Sequence, residues 1–308
     1  MLCTRVWRVG RDERLEHTSI YPETVQVSGW IDAPQKTSWA PSLDSPETEV
    51  MDTGATSNRK AVIQRELTWH EQEAHGRYSL DAFLYDPPAL DAVVQPAIEY
   101  LHGNTGELVL DMGCGEGKET LELASRGLHV ISTDLSYTQL SRARELVRRK
   151  VPDGTVYFVQ ANAEELPFAG EGFRIIYGKA ILHHLDLDIS FREVNRLLEP
   201  NGRATFAEPM AQHPLFWLAR RLTPKLRTQD ERPVILSELE RFSNRFRFQE
   251  LEVYFLFAPC AYLFRIIPKG ERVFRKMHSF LSKLDTGLFR DFRALRRFAW
   301  YGVIRVQK

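Results

Sequence analysis

Three glycines, two carboxylates and a pair of histidines carry spacing that points to chemistry in this 308-residue chain. Residues 107–118 read ELVLDMGCGEGK, an apolar run that ends at Asp111 and turns through Gly113, Cys114, Gly115 and Gly117. A strand running into glycines and then a helix brings bare N–H groups up to a ligand. Glycine serves there because a Cβ would block the approach and because such turns often need positive φ. A dinucleotide turn wants G-x-G-x-x-G; here the pattern is G-x-G-x-G, with Lys118 where that third glycine would fall. Asp111 and Glu116 would repel a pyrophosphate but not a cationic ligand. Asp134, 17 residues after Gly117, can accept both hydroxyls of a ribose. His183 and His184 suit proton transfer near neutral pH.

The elements that must position these residues alternate regularly from 107 onward. Strands are expected at 107–111, 128–133, 155–160, 173–178 and 203–208, with helices at 118–126 and 137–150 between the first three. Ser136 and Gln139 form a capping box for the second helix. Ser190 and Glu193 form another ahead of Val194, Leu197 and Leu198, and Pro200, Asn201 and Gly202 stop that helix. After helical pieces in 210–247, FQELEVYFLF (248–257) regains a period of two. A basic, phenylalanine-rich helical region spans 264–297, and AWYGVIRV (299–306) reads as a last strand. Strand–helix alternation of this kind predicts an α/β, Rossmann-like doubly wound sheet of about seven mostly parallel strands. Ligands then bind beyond the carboxyl ends of the strands, which gathers Asp111, Asp134, the loops after 160 and 178, and Glu208.

The glycine turn resembles motif I of the class I S-adenosylmethionine-dependent methyltransferases. QANAEELPF (160–168) is similar to that family's D-A-E-x-L-P-F segment, with Asn162 in place of the aspartate; YGKAILHHL (177–185) and REVNRLLEPNGRATFAEP (192–209) match its later elements. Over roughly 105–209 the resemblance is to the UbiE-like, methyltransferase-11 type that acts on small molecules. It implies S-adenosyl-L-methionine as cofactor, S-adenosyl-L-homocysteine as product, and no metal. It places Asp111, Gly113, Cys114, Gly115, Gly117, Asp134 and Leu135 at the cofactor, Asn162 and Ala163 at adenine, and Lys179 near the methionine end. His183 or His184 falls where an acceptor must approach, and one of them is expected to act as base. Glu208, Trp217, Arg220 and Arg221 are expected on the acceptor side, with Phe216, Lys225 and Arg227 nearby. The acceptor is expected to be a small molecule, a specialised metabolite, a sugar or an anionic or lipid-like compound, methylated on a hydroxyl oxygen; the alternatives are carbon methylation of a quinone, since carbon-methylating relatives share every motif, a nucleic-acid substrate, and a cofactor-binding protein without turnover. The strand-four loop lacks N/D-P-P-Y, and YDPPAL (85–90) reads as a proline turn feeding helix 89–101, which disfavours nucleic acid.

Composition sets the remaining bounds. The chain is 43% hydrophobic and 27% charged, ordinary for a globular protein. No apolar run reaches the ~18 residues a membrane span needs, the N-terminus lacks a signal-peptide core, and Cys3, Cys114 and Cys260 form neither metal spacing nor a disulfide framework; the expected compartment is the cytoplasm. Residues 211–308 hold 20 Lys+Arg against 9 Asp+Glu, a balance of +11 within a neutral chain. That asymmetry suits an anionic substrate, peripheral contact with a membrane surface, or pairing of the two halves. Residues 1–58 read as a partly disordered extension and 59–308 as the methyltransferase domain, with 210–247 and 264–297 as helical substrate-side insertions. Residues 59–77 look helical and polar, and the five-residue spacing of His70 and His75 does not suit a metal. The spacing leaves the oligomeric state open.

Overall fold

The computed structural model describes residues 6–9, 54–73, 87–101, 104–222 and 232–308. Its strands are β1 (Val6–Val9), β2 (Leu108–Met112), β3 (His129–Asp134), β4 (Val156–Gln160), β5 (Phe173–Lys179), β6 (Leu198–Pro209), β7 (Phe248–Tyr254) and β8 (Tyr301–Gln307). They form one sheet in the order β1-β4-β3-β2-β5-β6-β8-β7. Neighbours from β4 through β6 pair in parallel, while β8 runs antiparallel to both β6 and β7. The chain steps outward from β2 to β3 and β4, then returns to place β5 on the other side of β2. That reversal opens a crevice at the carboxyl ends of β2 and β5.

The helices are α1 (Gly54–Glu73), α2 (Pro87–Tyr100), α3 (Lys118–Ser125), α4 (Tyr137–Lys150), α5 (Leu187–Leu197), α6 (Pro214–Leu222), α7 (Leu236–Ser243) and α8 (Glu271–Asp291). Parallel strands are covered on both faces and read as unbroken apolar runs. Accordingly Val109 and Val130 pack with Leu90, Val93, Leu123 and Leu140 on one face. Leu110 and Ile131 pack with Val194, Leu197, Leu239 and Phe242 on the other.

Three local readings change. Val6–Val9 pairs antiparallel with β4, a strand too short to show a period inside 1–58. Helix α5 is capped by Asp186, whose carboxylate accepts from the Asp188 and Ile189 N–H groups. Ser190 therefore lies one turn inside α5 with its hydroxyl on Asp186 O, and Glu193 reaches across to Leu166 N rather than back to a cap. The helix has already passed into β6 at Leu198, so Pro200–Gly202 interrupts a strand, with Asn201 at φ 63°. Ser136 does cap α4 by accepting from Gln139 N at 3.2 Å. Helix α2 starts on Pro87, where a missing N–H costs nothing. His75, Tyr85–Asp86, Lys225, Arg227, Cys3 and most of 1–58 lie outside the described residues.

Candidate active site

The three glycines divide the work of the turn. All have positive φ: 75° at Gly113, 52° at Gly115 and 79° at Gly117. A Cβ on Gly113 would stand 2.7 Å from Ile181 Cδ1, and one on Gly117 would stand 2.6 Å from Ala143 Cβ. These two let the turn close against the loop after β5 and against α4. A Cβ on Gly115 would meet nothing within 4 Å, so this backbone faces the open cradle. Cys114 is buried and its thiol is pushed well above the ordinary value by burial and by the Asp134 and Asp111 charges. It is a small filler under the turn, not a nucleophile.

Asp134 ties the cradle together. One carboxylate oxygen accepts from Gly115 N at 2.8 Å and the other from Ser136 N at 2.9 Å. It remains partly exposed at the end of β3. Leu135 beside it offers its carbonyl to Gln160 Nε2. Asp111 behaves differently from the expectation of a ligand-contacting residue. It is 1% exposed and accepts from Thr120 Oγ1 at 2.5 Å, while Ser132 donates to Thr120. It braces β2 to α3 beneath the turn. Burial, reinforced by Glu119 and Asp134, pushes its carboxyl from 3.8 to about 7. The raised value means that its contribution to stability is full below the unfolded pKa and is lost as pH rises through about 7. Asp111→Asn should therefore gain thermal stability relative to the parent between pH 5 and pH 8. Each kcal/mol of that difference moves the midpoint by about 2–4 °C, and melting curves across this range check the sign. Lys179 pairs with Glu119 at the start of α3, closing the turn from the β5 side.

The loop after β4 is also partly self-satisfied. Asn162 Oδ1 accepts from Glu164 N at 3.1 Å, so it is not a wholly free acceptor for adenine; Ala163 is buried beside it. Glu164 takes Arg59 of α1 at 2.7 Å and Asp186 N at 2.7 Å. Helix α1 reaches two more loops on this edge. Glu71 accepts from Ser136 Oγ and Thr138 N at 3.0 and 3.2 Å, and from Thr138 Oγ1. Glu66 meets His184 Nδ1 at 3.0 Å. The role of Glu66 and Glu71 had no signal in the sequence, because α1 lacks an apolar stripe and carboxylates on such a helix are indistinguishable from solvated ones.

The histidines sit on a short 3₁₀ turn, Leu182–His184, after β5. Glu208, at the end of neighbouring β6, is fully buried. One of its oxygens accepts from Ile181 N and Leu182 N, each at 2.9 Å, and the other lies 2.9 Å from His183 Nδ1. Glu208 was expected on the acceptor side; burial and three protein partners make it an orienting group instead. A carboxylate on Nδ1 places that ring's proton there and leaves Nε2 as the acceptor. The His183 and His184 rings lie 4.2 Å apart, and each carries a carboxylate on Nδ1, Glu208 for His183 and Glu66 for His184; Glu208 is the one that also fixes the backbone of the turn.

Helix α6 begins six residues after Glu208. Phe216 stacks on Trp300 at 4.0 Å. Trp217 is 55% exposed, with the Arg221 guanidinium 5.6 Å from its ring centroid. Arg220 is half-buried and Arg221 exposed. The structure thus gathers the glycine turn, Asp134, Asn162, Lys179 and the His183–Glu208 pair on one sheet edge, with Trp217 and Arg221 on an outer helix beside it. Among the described residues no group of three His, Cys, Asp or Glu could hold a metal, and no helix is long and apolar enough to cross a membrane.

Residues 110–206 match a family model described as a methyltransferase domain. The chain is 35% identical over 111 residues to the O-methyltransferase cnsE of Penicillium expansum, covering 35% of this chain and 40% of that protein. It is 38% identical over 108 residues to the ubiquinone/menaquinone biosynthesis C-methyltransferase UbiE of Vibrio vulnificus, covering 33% of this chain and 41% of that protein. The chain thus spans less than half the length of these relatives. A solved structure of geranyl diphosphate C-methyltransferase from Streptomyces coelicolor superposes with a TM-score of 0.50 at 18% identity, covering 70% of this chain and 78% of that one. Taken with the glycine turn and the strand order, these likenesses show that the chain has the class I methyltransferase fold and that its residues 110–206 are similar to a methyltransferase domain.

Proposed function

We propose that this protein is an S-adenosyl-L-methionine-dependent methyltransferase that methylates a hydroxyl oxygen of a small molecule, releasing S-adenosyl-L-homocysteine. The observation that carries the reading is the buried Glu208 carboxylate on His183 Nδ1, on the same sheet edge as the open face of Gly115. The residues suit this cofactor: no Cβ intrudes over Gly115, the Asp134 carboxylate is partly exposed at the adjoining strand end, and the turn carries no excess positive charge for a phosphate. When bound, the cofactor supplies a methyl group on a sulfonium, an excellent leaving group that calls for no metal.

The chain's own residues then have two tasks. Orientation comes from Gly115, Asp134 and the Lys179–Glu119 closure, and alignment at contact distance is a large part of such a barrier. Proton removal falls to His183 Nε2, which takes the acceptor's hydroxyl proton as the new oxygen–carbon bond forms and the carbon–sulfur bond breaks. Glu208 keeps the ring in the required tautomer and stabilises the imidazolium. Trp217 and the neighbouring leucines favour an apolar, lipid-like acceptor, and Arg220 and Arg221 favour one bearing anionic groups. Methylation of an acidic carbon, the chemistry named for UbiE, is the second reading, because the same base serves a carbon acid.

Calorimetric titration with S-adenosylmethionine and, separately, NAD tests the cofactor. Micromolar binding of the first and none of the second is expected; the reverse sinks the proposal. Acceptor panels of phenols, sugars and quinols with a labelled methyl donor then separate oxygen from carbon transfer. Strongly salt-dependent association with RNA or DNA would favour a nucleic-acid substrate instead.

A further inference from the structure

Among the described residues, every large hydrophobic side chain that is exposed, save Tyr137, lies between Leu215 and Phe292. They are concentrated on three helical pieces. On α6 these are Leu215, Trp217, Leu218 and Leu222. On the 3₁₀ segment Ala258–Ile266 and the residue after it they are Leu263 and Ile267. On α8 they are Val273, Phe280 and Leu284. At about 100° per residue the α8 trio falls within roughly 40° of arc, one continuous stripe. The stripe does not belong to the core-facing side, which is formed by Phe274, His278, Asp285 and Phe289.

The three pieces share one aromatic cluster. Phe216 of α6 stacks on Trp300, whose ring lies 6.1 Å from Tyr262 of the 3₁₀ segment, and Tyr262 lies 5.1 Å from Phe274 of α8. They therefore form one cap on the sheet edge that carries the candidate active site.

Charge identifies the occupant. Along α8 the apolar stripe is bordered by exposed Arg272, Lys276 and Lys283, none of which forms an ion pair among the described residues. The acidic residues of α8 are otherwise engaged: Asp285 is buried and accepts from the Leu256, Phe257 and Ala258 N–H groups, and Glu271 and Asp291 hold arginines. An apolar stripe flanked by unpaired cations, with a tryptophan–arginine pair on α6 joined to it through the aromatic cluster, is the arrangement of a surface that lies in a headgroup layer. We infer that this cap docks on an anionic lipid bilayer, inserting the α6 and α8 apolar side chains between headgroups, so that the active-site edge opens toward the membrane. The inference stands on this surface and not on the methyl-transfer reading; if both hold, the acceptor is drawn from the lipid phase.

The test is flotation of the full chain with vesicles of phosphatidylcholine alone and vesicles enriched in phosphatidylglycerol. The expected result is recovery with the anionic vesicles, weak recovery with the neutral ones, and release by high salt. Phe280→Ser/Leu284→Ser and, separately, Lys276→Glu/Lys283→Glu should each lower partitioning by about tenfold or more, with unchanged S-adenosylmethionine affinity showing that the fold is intact. A wild-type chain that floats with neither vesicle overturns the inference. So does a Phe280→Ser/Leu284→Ser variant that floats normally, or one that turns a dimer into a monomer by light scattering, since the face would then join two copies. Flotation without any cofactor binding would retain the docking surface and discard the methyltransferase reading.

Discussion

His183→Ala lowers turnover of a hydroxyl acceptor by about 10²–10⁴-fold, the range typical of a lost general base, while S-adenosylmethionine affinity stays within twofold of the parent. The split follows from position: His183 stands on the loop after β5, and the cradle is built from β2, β3 and their turns. Glu208→Gln is the sharper variant. The amide oxygen can still accept from Ile181 N and Leu182 N, so the loop keeps its shape. The amide NH₂ then faces His183 Nδ1 and obliges it to accept, which moves the ring proton to Nε2 and removes the base. Turnover should fall nearly as far as in His183→Ala, with little change in melting temperature. Glu208→Ala should also destabilise, because two buried N–H groups and an imidazole lose their partner. His184→Ala should cost less turnover than His183→Ala. Equal, full turnover in His183→Ala and Glu208→Gln would remove the base from the mechanism.

Gly115→Val abolishes cofactor binding, lowering affinity by about 10²-fold or more, in a protein that still folds. A β-branched residue at φ 52° is strained, and its side chain projects into the open cradle where nothing else lies within 4 Å. The left-handed backbone costs about 1–2 kcal/mol, which a domain of this size withstands. Gly117→Ala inverts the pattern. Its Cβ meets Ala143 Cβ at 2.6 Å and Ala143 Cα at 2.8 Å, and backbone cannot yield as a flexible side chain does. Overpacking adds about 1–3 kcal/mol to the conformational cost, so Gly117→Ala is the less stable of the two. Denaturant melts and calorimetric titration on the same samples separate the effects; intact binding in Gly115→Val would show that the ligand does not pass over this glycine.

The cradle was legible in the sequence because its information is local. A glycine turn between an apolar strand and a helix, with an aspartate at the end of the next strand, is written in contiguous residues, and strand–helix alternation then forces a parallel sheet. The same locality explains the errors at α5, where Asp186 caps the helix and Ser190 does not: both residues are competent caps, and only the place where Leu187 enters the helix decides between them. The partners of the site were not legible. Glu208 orients His183 from 25 residues away, because β5 and β6 are neighbours in register. Glu66 reaches His184 from 118 residues away, on a helix whose apolar residues form no single stripe. Burial likewise separated Asp111 from Asp134, two carboxylates at equivalent strand ends. One is enclosed by Thr120 and braces the turn, and the other stays partly exposed at its strand end beside Gly115. Residue type and spacing name the groups able to do chemistry; solvent exposure and the neighbours supplied by adjacent strands set which of them face the ligand and which hold the others in place.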